Sequence, residues 1–148
     1  MAHRGAEPST AGGAPVDSIT SGIIGDAITV HRELGPGLLE STYTACLAVL
    51  LRRRDWDVQR QVSMPLIFQG ERIETGYRVD LLVERRVVVE LKTVTEFAPV
   101  HVAQVLTYLK LSGCEVGLLI NFNVPVLKDG IRRIVRGYRV GSSGPQAV

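Results

Sequence analysis

The segment 76–94, GYRVDLLVERRVVVELKTV, constrains the fold of this chain more than any other part of it. Two runs rich in valine and leucine flank the charged residues 84–86, as expected for two strands with a tight connection. The apolar side chains occupy odd positions in both runs, so they share one face of an antiparallel hairpin if Val83 pairs with Val87. The sequence therefore predicts a central hairpin with a three-residue connection.

Three charged side chains, Asp80, Glu90 and Lys92, interrupt these apolar runs. The predicted register places Asp80 opposite Glu90, with Lys92 two residues further along on the same face. Burying a charge without a partner is costly, so a chain seldom carries charges there by default. Two adjacent carboxylates also disfavour each other's ionisation unless a cation lies between them, and Mg²⁺ is typically held by one or two carboxylates. The pattern therefore predicts a metal site with a lysine beside it.

A structural interpretation of the same residues stays open from the spacing alone. Glu90 and Lys92 can instead form an ion-pair network with Asp80 that only stabilises the sheet. The spacing Asp-x(9)-Glu-x-Lys does not separate these two interpretations.

The rest of the chain predicts an α/β domain with a mixed central sheet flanked by helices. Helical periodicity extends over residues 19–34, 38–54 and 99–111, and strand patterns occupy residues 58–68, 71–83, 87–94 and 115–122. Residues 1–17 and 141–148 contain few large apolar side chains, so both ends are predicted to be disordered tails. A single domain is therefore expected over residues 18–140.

Composition limits the expected partners and the compartment. The net charge of +2 is too small to predict nucleic-acid binding from overall electrostatics, so an anionic partner must meet local clusters of Lys and Arg. Cys46 and Cys114 are far apart among apolar residues, which predicts reduced thiols. No signal-peptide pattern occurs, and no apolar run approaches the ~20 residues of a membrane span. We expect a cytoplasmic protein without a membrane partner, and the sequence does not predict its oligomeric state.

The hairpin residues VD at 79–80 and VELK at 89–92 resemble the core motif of the PD-(D/E)XK nuclease superfamily. GLLESTY at 37–43 resembles the Gly-x-x-Glu-x-x-Tyr signature of the small bacterial GxxExxY proteins. One position departs from the pattern, because Val79 stands where the name of the superfamily has proline. The superfamily tolerates changes there, so the resemblance of the acidic positions is unaffected.

The element QVLTY resembles the Gln-x-x-x-Tyr element of the RecB-like branch of this superfamily, in which these residues lie beside the active site. It implies a catalytic role for Gln104 and a nucleic-acid contact for Tyr108, which share one face of the predicted helix. The alternative is a solvent-facing Gln104 and a core Tyr108, and the role of His101 on the same side is left open. With GYRVDLL and GLLINFNV, the resemblance extends over about residues 19–136.

The resemblance implies a restriction-endonuclease-like core and a metal-dependent nuclease, with DNA as the expected substrate and Mg²⁺ or Mn²⁺ as the cofactor. Asp80 and Glu90 would hold the metal, and the backbone carbonyl of Leu91 would add a further ligand. Lys92 would orient or help to deprotonate the attacking water. Glu40 would support the metal directly or through water.

The GxxExxY motif also has a physical interpretation on a helix. Gly37, Glu40 and Tyr43 recur every third residue and form one stripe. Glycine is expected to let the start of the helix approach the sheet closely, Glu40 to point at Asp80 and Glu90 as a third carboxylate, and Tyr43 to pack beside it. From the residues alone, a surface glutamate and a core tyrosine are the alternative.

Basic residues in the C-terminal third of the chain are the predicted phosphate contacts. They are Lys110, Lys128, Arg132, Arg133, Arg136 and Arg139. Arg132, Arg133 and Arg136 are expected to share one face of a terminal helix or edge element. The alternative is a solvated basic surface, and for the whole domain it is a catalytically silent module that binds nucleic acid or protein.

Overall fold

This computed structural model describes residues 13–137 and 146–147 of the chain. They contain three α-helices, one 3-10 helix and eight strands. The helices are α1 (Val16–Leu34), α2 (Glu40–Arg52), α3 (Pro99–Ser112) and the 3-10 helix Leu127–Gly130. The strands are β1 (Val58–Ser63), β2 (Leu66–Phe68), β3 (Glu71–Ile73), β4 (Arg78–Val83), β5 (Val87–Lys92), β6 (Val116–Asn121), β7 (Ile131–Val135) and β8 (Gln146–Ala147).

Six of these strands form one sheet in the order β1-β4-β5-β6-β7-β8, and β2 and β3 form a separate two-stranded sheet. The pair β5–β6 is parallel, and the other neighbours in the large sheet are antiparallel. α1 and α2 pack on one face, whereas α3, which connects β5 to β6, packs on the other. The predicted mixed central sheet flanked by helices is therefore confirmed.

The helix boundaries follow local sequence signals. α3 begins at Pro99, whose missing N–H suits a first helical turn, and it ends at Gly113 with a φ of 79°. α1 ends at Gly35, which also has a positive φ, 71°. All three predicted helices are present, each within a few residues of its predicted limits.

The predicted register of the central hairpin is confirmed. Val83 pairs with Val87, and residues 84–86 form the connection between β4 and β5. Glu84 and Arg85 have positive φ values of 54° and 53°. Two consecutive left-handed residues reverse a strand tightly and match its twist, which explains so short a connection.

The alternation of faces does not continue through β4 as predicted. Leu81 belongs to the core under α1 and α2, whereas Val79 belongs to the core under α3 on the opposite face. Gln61 of β1 lies opposite Asp80 and has a φ of 52°, yet β1 keeps the same register on both sides of it. A left-handed residue rotates its own strand, β1, and β4 changes face at the paired position without an inserted residue. The prediction that Val79 shares the face of Leu81 and Val83 is therefore wrong.

Short segments of both predicted tails adopt regular structure. α1 begins at Val16, ahead of the predicted domain start at residue 18. Gln146 and Ala147 form β8 beside β7, within the predicted C-terminal tail. The remaining parts of these tails, residues 1–12, 141–145 and 148, lie outside the described residues, as do residues 138–140. None of the described helices has the length and apolar character to cross a membrane.

The absence of a side chain at Gly117 lets α3 pack closely on β6. A Cβ atom at this position would lie 2.6 Å from Cγ1 of Val105, shorter than a real contact allows. Val105 is β-branched and sits in a helix, so its side chain has little freedom to move aside. This contact sets how close α3 comes to the sheet.

We expect Gly117→Ala to lower the free energy of unfolding by about 1–3 kcal/mol, because the added methyl overpacks the contact between α3 and β6. The matched control is Gly25→Ala on the exposed side of α1, where a Cβ meets nothing within 4 Å. That change should raise the free energy of unfolding by about 0.5–1 kcal/mol, because alanine favours the helix. Urea unfolding of both variants measures the difference, and equal stabilities would contradict the close packing.

Candidate active site

Asp80 and Glu90 meet where β4 and β5 separate at one end of the sheet. The last paired residues in this direction are Leu81 and Val89. Beyond them, side chains take over: the N–H of Leu91 donates to Asp80 Oδ2 at 2.9 Å, and the N–H of Asp80 donates to Glu90 Oε1 at 3.3 Å. Both carboxylates are thus held by backbone groups of the two central strands, which fixes them more firmly than a loop would.

Burial disfavours the ionised form of both carboxyl groups. Glu90 is 5% exposed, and burial, followed by the charge of Asp80, raises the pKa of Glu90 to about 8 despite the opposing charge of Lys92. Burial likewise raises the pKa of Asp80 above its ordinary value, against the hydrogen bond from Leu91. Two neighbouring acids that both resist ionisation form a pair that a bound cation would stabilise.

Lys92 connects the carboxylates to α3. Its Nζ lies 3.7 Å from Glu90 Oε2 and donates a hydrogen bond to Gln104 Oε1 at 2.8 Å. The amide of Gln104 in turn donates from Nε2 to the hydroxyl of Tyr108 at 3.1 Å. The side-chain amide of half-buried Gln104 therefore binds Lys92, and the hydrogen-bond partners at both ends define its orientation.

Tyr108 combines a core position with this polar contact. Its side chain belongs to the core under α3, and burial raises the pKa of Tyr108 to about 12, so the hydroxyl stays protonated at neutral pH. Tyr108 is therefore both a core residue and a residue beside the candidate site, so the two alternatives do not exclude each other.

Tyr43 and Gly37 shape the connection between α1 and α2. Tyr43 is fully buried and stacks on Phe122 with ring centroids 4.4 Å apart. Its hydroxyl accepts the N–H of Leu38 at 3.1 Å and donates to the carbonyl of Gly35, which holds the connection against the core. Gly37 has a φ of 105° and open space around the missing Cβ. The expected close approach of Gly37 to the sheet is wrong, because the backbone conformation is what requires glycine there.

Glu40 lies near the two central carboxylates but is bound elsewhere. Its Oε2 accepts the N–H of Thr93, directly after β5, at 3.1 Å. The charge of Glu40 is close enough to raise the pKa of both Asp80 and Glu90. Across residues 13–137, no three His, Cys, Asp or Glu side chains are grouped so that they could share a metal ion. The expected convergence of three carboxylates is therefore not seen.

The donor set that remains fits a hard divalent cation. Asp80 and Glu90 supply two carboxylates, and Mg²⁺ is commonly held by one or two of these with water in its other positions. Burial raises the pKa of both acids more than the charge of Lys92 lowers it, so a bound cation would favour their ionised forms. Leu91 directly follows Glu90, and its N–H binds Asp80, so its carbonyl belongs to the backbone that holds the two carboxylates.

His101 acts at the start of α3. Its ring Nδ1 accepts a hydrogen bond from the backbone N–H of Ala98 at 2.9 Å, and its backbone N–H donates to the carbonyl of Ala98 at 2.9 Å. This reciprocal pair satisfies groups that the first turn of a helix leaves without partners. Because Nδ1 accepts a hydrogen bond, it carries no proton, and the second ring nitrogen is the donor in the neutral form.

Asn121 orients the backbone that follows Lys92, and it was not among the predicted site residues. The side chain is buried, accepts the N–H of Val94 at 3.1 Å and donates to the carbonyl of Val94 at 2.8 Å. Asn121 pairs with Lys92 across the parallel strands β5 and β6. A polar residue at the end of an apolar strand was the only available signal.

Arg132 and Arg133 point to opposite faces of the sheet. The guanidinium of Arg132 lies 5.7 Å from the ring centre of Phe97, near the start of α3, whereas Arg133 pairs with Asp17 of α1 at 3.1 Å. Both arginines belong to β7, where successive side chains alternate. The prediction of one shared basic face is therefore wrong.

The other basic residues are also dispersed. The N–H of Arg136 donates to the carbonyl of Glu115, which places it at the end of the sheet away from Lys92. Lys110 and Lys128 are exposed. Arg139 lies outside the described residues.

A groove of about 440 Å³ runs along α3 beside Lys92. The side chains that form it include Tyr77, Lys92, His101, Gln104, Thr107 and Tyr108. Tyr77, just before β4, was not among the predicted site residues. Its position in the GYRVD segment, three residues before Asp80, is the only sequence signal for a place near the site.

Comparison with known proteins gives one family. Residues 17–134, most of the chain, match the family model of the PD-(D/E)XK nuclease superfamily. No curated protein and no solved structure matches the chain. The mixed sheet with helices on both faces agrees with the restriction-endonuclease-like fold expected from this match.

We expect the metal-free protein to lose stability as the pH rises from 4.5, the ordinary pKa of glutamate, towards about 8. In this window the folded protein keeps a proton on Glu90 that the unfolded chain releases, so the free energy of unfolding falls by up to about 1.4 kcal/mol per pH unit. Glu90→Gln removes this titration. Its stability relative to the wild type should therefore increase between pH 5 and pH 8 in EDTA, as measured by urea unfolding.

The control for this measurement is Glu33→Gln, at an exposed position of α1. Its stability relative to the wild type should be nearly the same at both pH values. If Glu90→Gln behaved like this control, the raised pKa of Glu90 would be contradicted.

Proposed function

The chain belongs to the PD-(D/E)XK nuclease superfamily, and on this basis we propose that it is a metal-dependent nuclease that hydrolyses phosphodiester bonds in DNA. The observation that best supports the proposal is the pair of half-buried Asp80 and buried Glu90 with Lys92 beside it. Within the superfamily, we propose the GxxExxY family and the RecB-like branch. The loop held by Tyr43 and the contact from Gln104 to Lys92 support this finer placement.

Asp80, Glu90 and the carbonyl of Leu91 are the proposed ligands of Mg²⁺ or Mn²⁺. When bound, such an ion supplies positive charge that stabilises the charge developing on the phosphoryl group. The backbone hydrogen bonds that hold both carboxylates keep them in place in advance. Glu40, through its hydrogen bond to the N–H of Thr93, positions the end of β5 and adds negative charge near the site.

Lys92 is the proposed partner of the attacking water. Its Nζ is held by Gln104, and Gln104 is held by Tyr108, so the ammonium has one preferred position beside the carboxylates. From there it donates a hydrogen bond that orients the water for attack on phosphorus, in line with the departing sugar oxygen. Gln104 and Tyr108 are positioning residues in this scheme.

Phosphate contacts are proposed for the basic residues nearest the end of the sheet that carries Asp80, Glu90 and Lys92. Arg132 lies on the α3 side near Phe97 and is the best-placed arginine. Exposed Lys128, shortly before β7, is a further candidate. Arg133 is turned towards α1, whereas Lys110 and Arg136 lie near the other end of the sheet, where α3 ends at Gly113. We place the activity in the cytoplasm, in agreement with the free thiols of the two cysteines.

We expect Lys92→Ala to lower the single-turnover cleavage rate by about 10²- to 10³-fold, because it removes a positioned donor at the reacting group. DNA binding should change little, since most phosphate contacts lie elsewhere. The measurement is cleavage of labelled DNA with Mg²⁺ or Mn²⁺, alongside binding in EDTA. Arg72→Ala on exposed β3 is the control for loss of a cation away from the site. Wild-type cleavage by Lys92→Ala would contradict its role, and binding without cleavage by the wild-type protein would favour the silent module.

We expect Asp80→Asn to raise the melting temperature in EDTA by about 2–6 °C above pH 8, where Glu90 is ionised, because it removes like-charge repulsion around Glu90. The same change should abolish the extra stabilisation that the wild type gains from Mg²⁺ or Mn²⁺. Asp129→Asn, at an exposed position, is the control. A structural ion-pair network makes the opposite prediction, namely a lower melting temperature with or without metal.

A further inference from the structure

Tyr77 is an aromatic side chain held in place beside the candidate site and partly open to solvent. It is 45% exposed. Its carbonyl accepts the N–H of Met64 at 2.9 Å, and its N–H donates to Thr75 Oγ1 at 3.1 Å, so its backbone is fixed on both sides. Such a residue can bind a flat ligand without first losing much conformational freedom.

The packing of Tyr77 leaves a ring face available. Its ring meets Tyr108 at an interplanar angle of 76°, with centroids 6.3 Å apart. In such an edge-to-face pair, Tyr108 covers one face of Tyr77 at most, whichever ring presents its edge. At least one face of Tyr77 is therefore free of Tyr108 for stacking.

The groove beside Tyr77 has the composition of a site for a flat heterocycle. Val100 and Ala103 of α3 contribute apolar wall, and Gln104 and Thr107 contribute polar groups. Its volume of about 440 Å³ lies in the usual range for small-molecule sites, about 300–1,000 Å³. Lys92 is the only charged side chain that forms the groove within the described residues, and it already pairs with Glu90. The groove is therefore better suited to a base than to a chain of phosphates.

We propose that this groove binds one unpaired nucleobase stacked on Tyr77, next to the phosphate to be cleaved, and that single-stranded DNA is therefore the preferred substrate. This proposal rests on the proposed nuclease function. Lys92 belongs both to the groove and to the carboxylate site, so a base in the groove lies beside the place where the phosphate would react. A base inside a duplex is stacked and paired, so it cannot enter without being unstacked and extruded.

The test measures binding and cleavage separately on the same DNA. The probes are a fluorescein-labelled single-stranded 12-mer, its duplex, and a series of the same strand with one abasic site moved along it. Binding is measured by fluorescence anisotropy in EDTA, and cleavage is measured with Mn²⁺. We expect the wild type to bind the single strand more tightly than the duplex, and one abasic position to weaken binding.

The variant Tyr77→Ala should bind the single strand about 5- to 150-fold more weakly, as expected for the loss of one stacked base, and should become insensitive to the abasic position. Tyr77→Phe keeps the ring and should bind like the wild type. Phe68→Ala, which removes another exposed aromatic ring from β2, is the control and should also bind like the wild type. Melting curves establish that each variant is folded.

Unchanged binding by Tyr77→Ala, or a wild type that prefers the duplex, would overturn the proposal. If Tyr77→Ala does not fold, the abasic series with the wild type decides, and equal binding at every position overturns the proposal. The two proposals also fail differently. If the wild type does not cleave DNA but Tyr77→Ala still weakens binding, only the nuclease function is wrong. If the wild type cleaves DNA but neither Tyr77→Ala nor the abasic site changes binding or cleavage, only the base subsite is wrong.

Discussion

The separation of β4 from β5 at Asp80 is the feature on which the rest of the site depends. Where the strands stop pairing, the carboxylate of Asp80 accepts the N–H of Leu91, and the carboxylate of Glu90 accepts the N–H of Asp80. The backbone groups thus keep partners although the ladder has ended, as buried groups must. These hydrogen bonds also hold the two acidic side chains in place. In a regular ladder the backbone groups would pair with each other, and the side chains would only lie on opposite residues.

This arrangement is costly for the metal-free protein. Burial raises the pKa of both acids, and Lys92 compensates for only part of their charge. Functional sites often keep such unfavourable electrostatics because the charge is useful to a ligand. Binding of a cation to the folded protein would restore stability, so metal affinity and folding are coupled in the proposed function.

The packing of α3 decides how Lys92 is used. Gly117 lets the helix lie close to β6, and at that distance Gln104 reaches the ammonium group while Tyr108 reaches Gln104. The same helix forms one side of the groove that contains Tyr77. The positioning of the ammonium and the proposed base subsite thus depend on one helix–strand contact.

The sequence by itself determined the elements whose signals are local. The apolar alternation and the short connection at 84–86 define the hairpin register, and Pro99 and Gly113 bound α3. The pairing of strands in turn brings Asp80 close to Glu90, because register is set by side-chain periodicity. These features need only neighbouring residues and the repeat of a strand or helix.

Only the tertiary structure decided the features that depend on distant contacts or on uncommon backbone conformations. Val79 lies on the opposite face from Leu81 where the neighbouring Gln61 has a positive φ, and neither feature has a strong sequence signal. Glu40 accepts the N–H of Thr93, 53 residues away, a contact that no local pattern specifies. Tyr77, just before β4, gains its position beside Lys92 only through its packing against Tyr108 of α3. A periodic pattern specifies which face a residue takes, but not which residue of another element it will meet there.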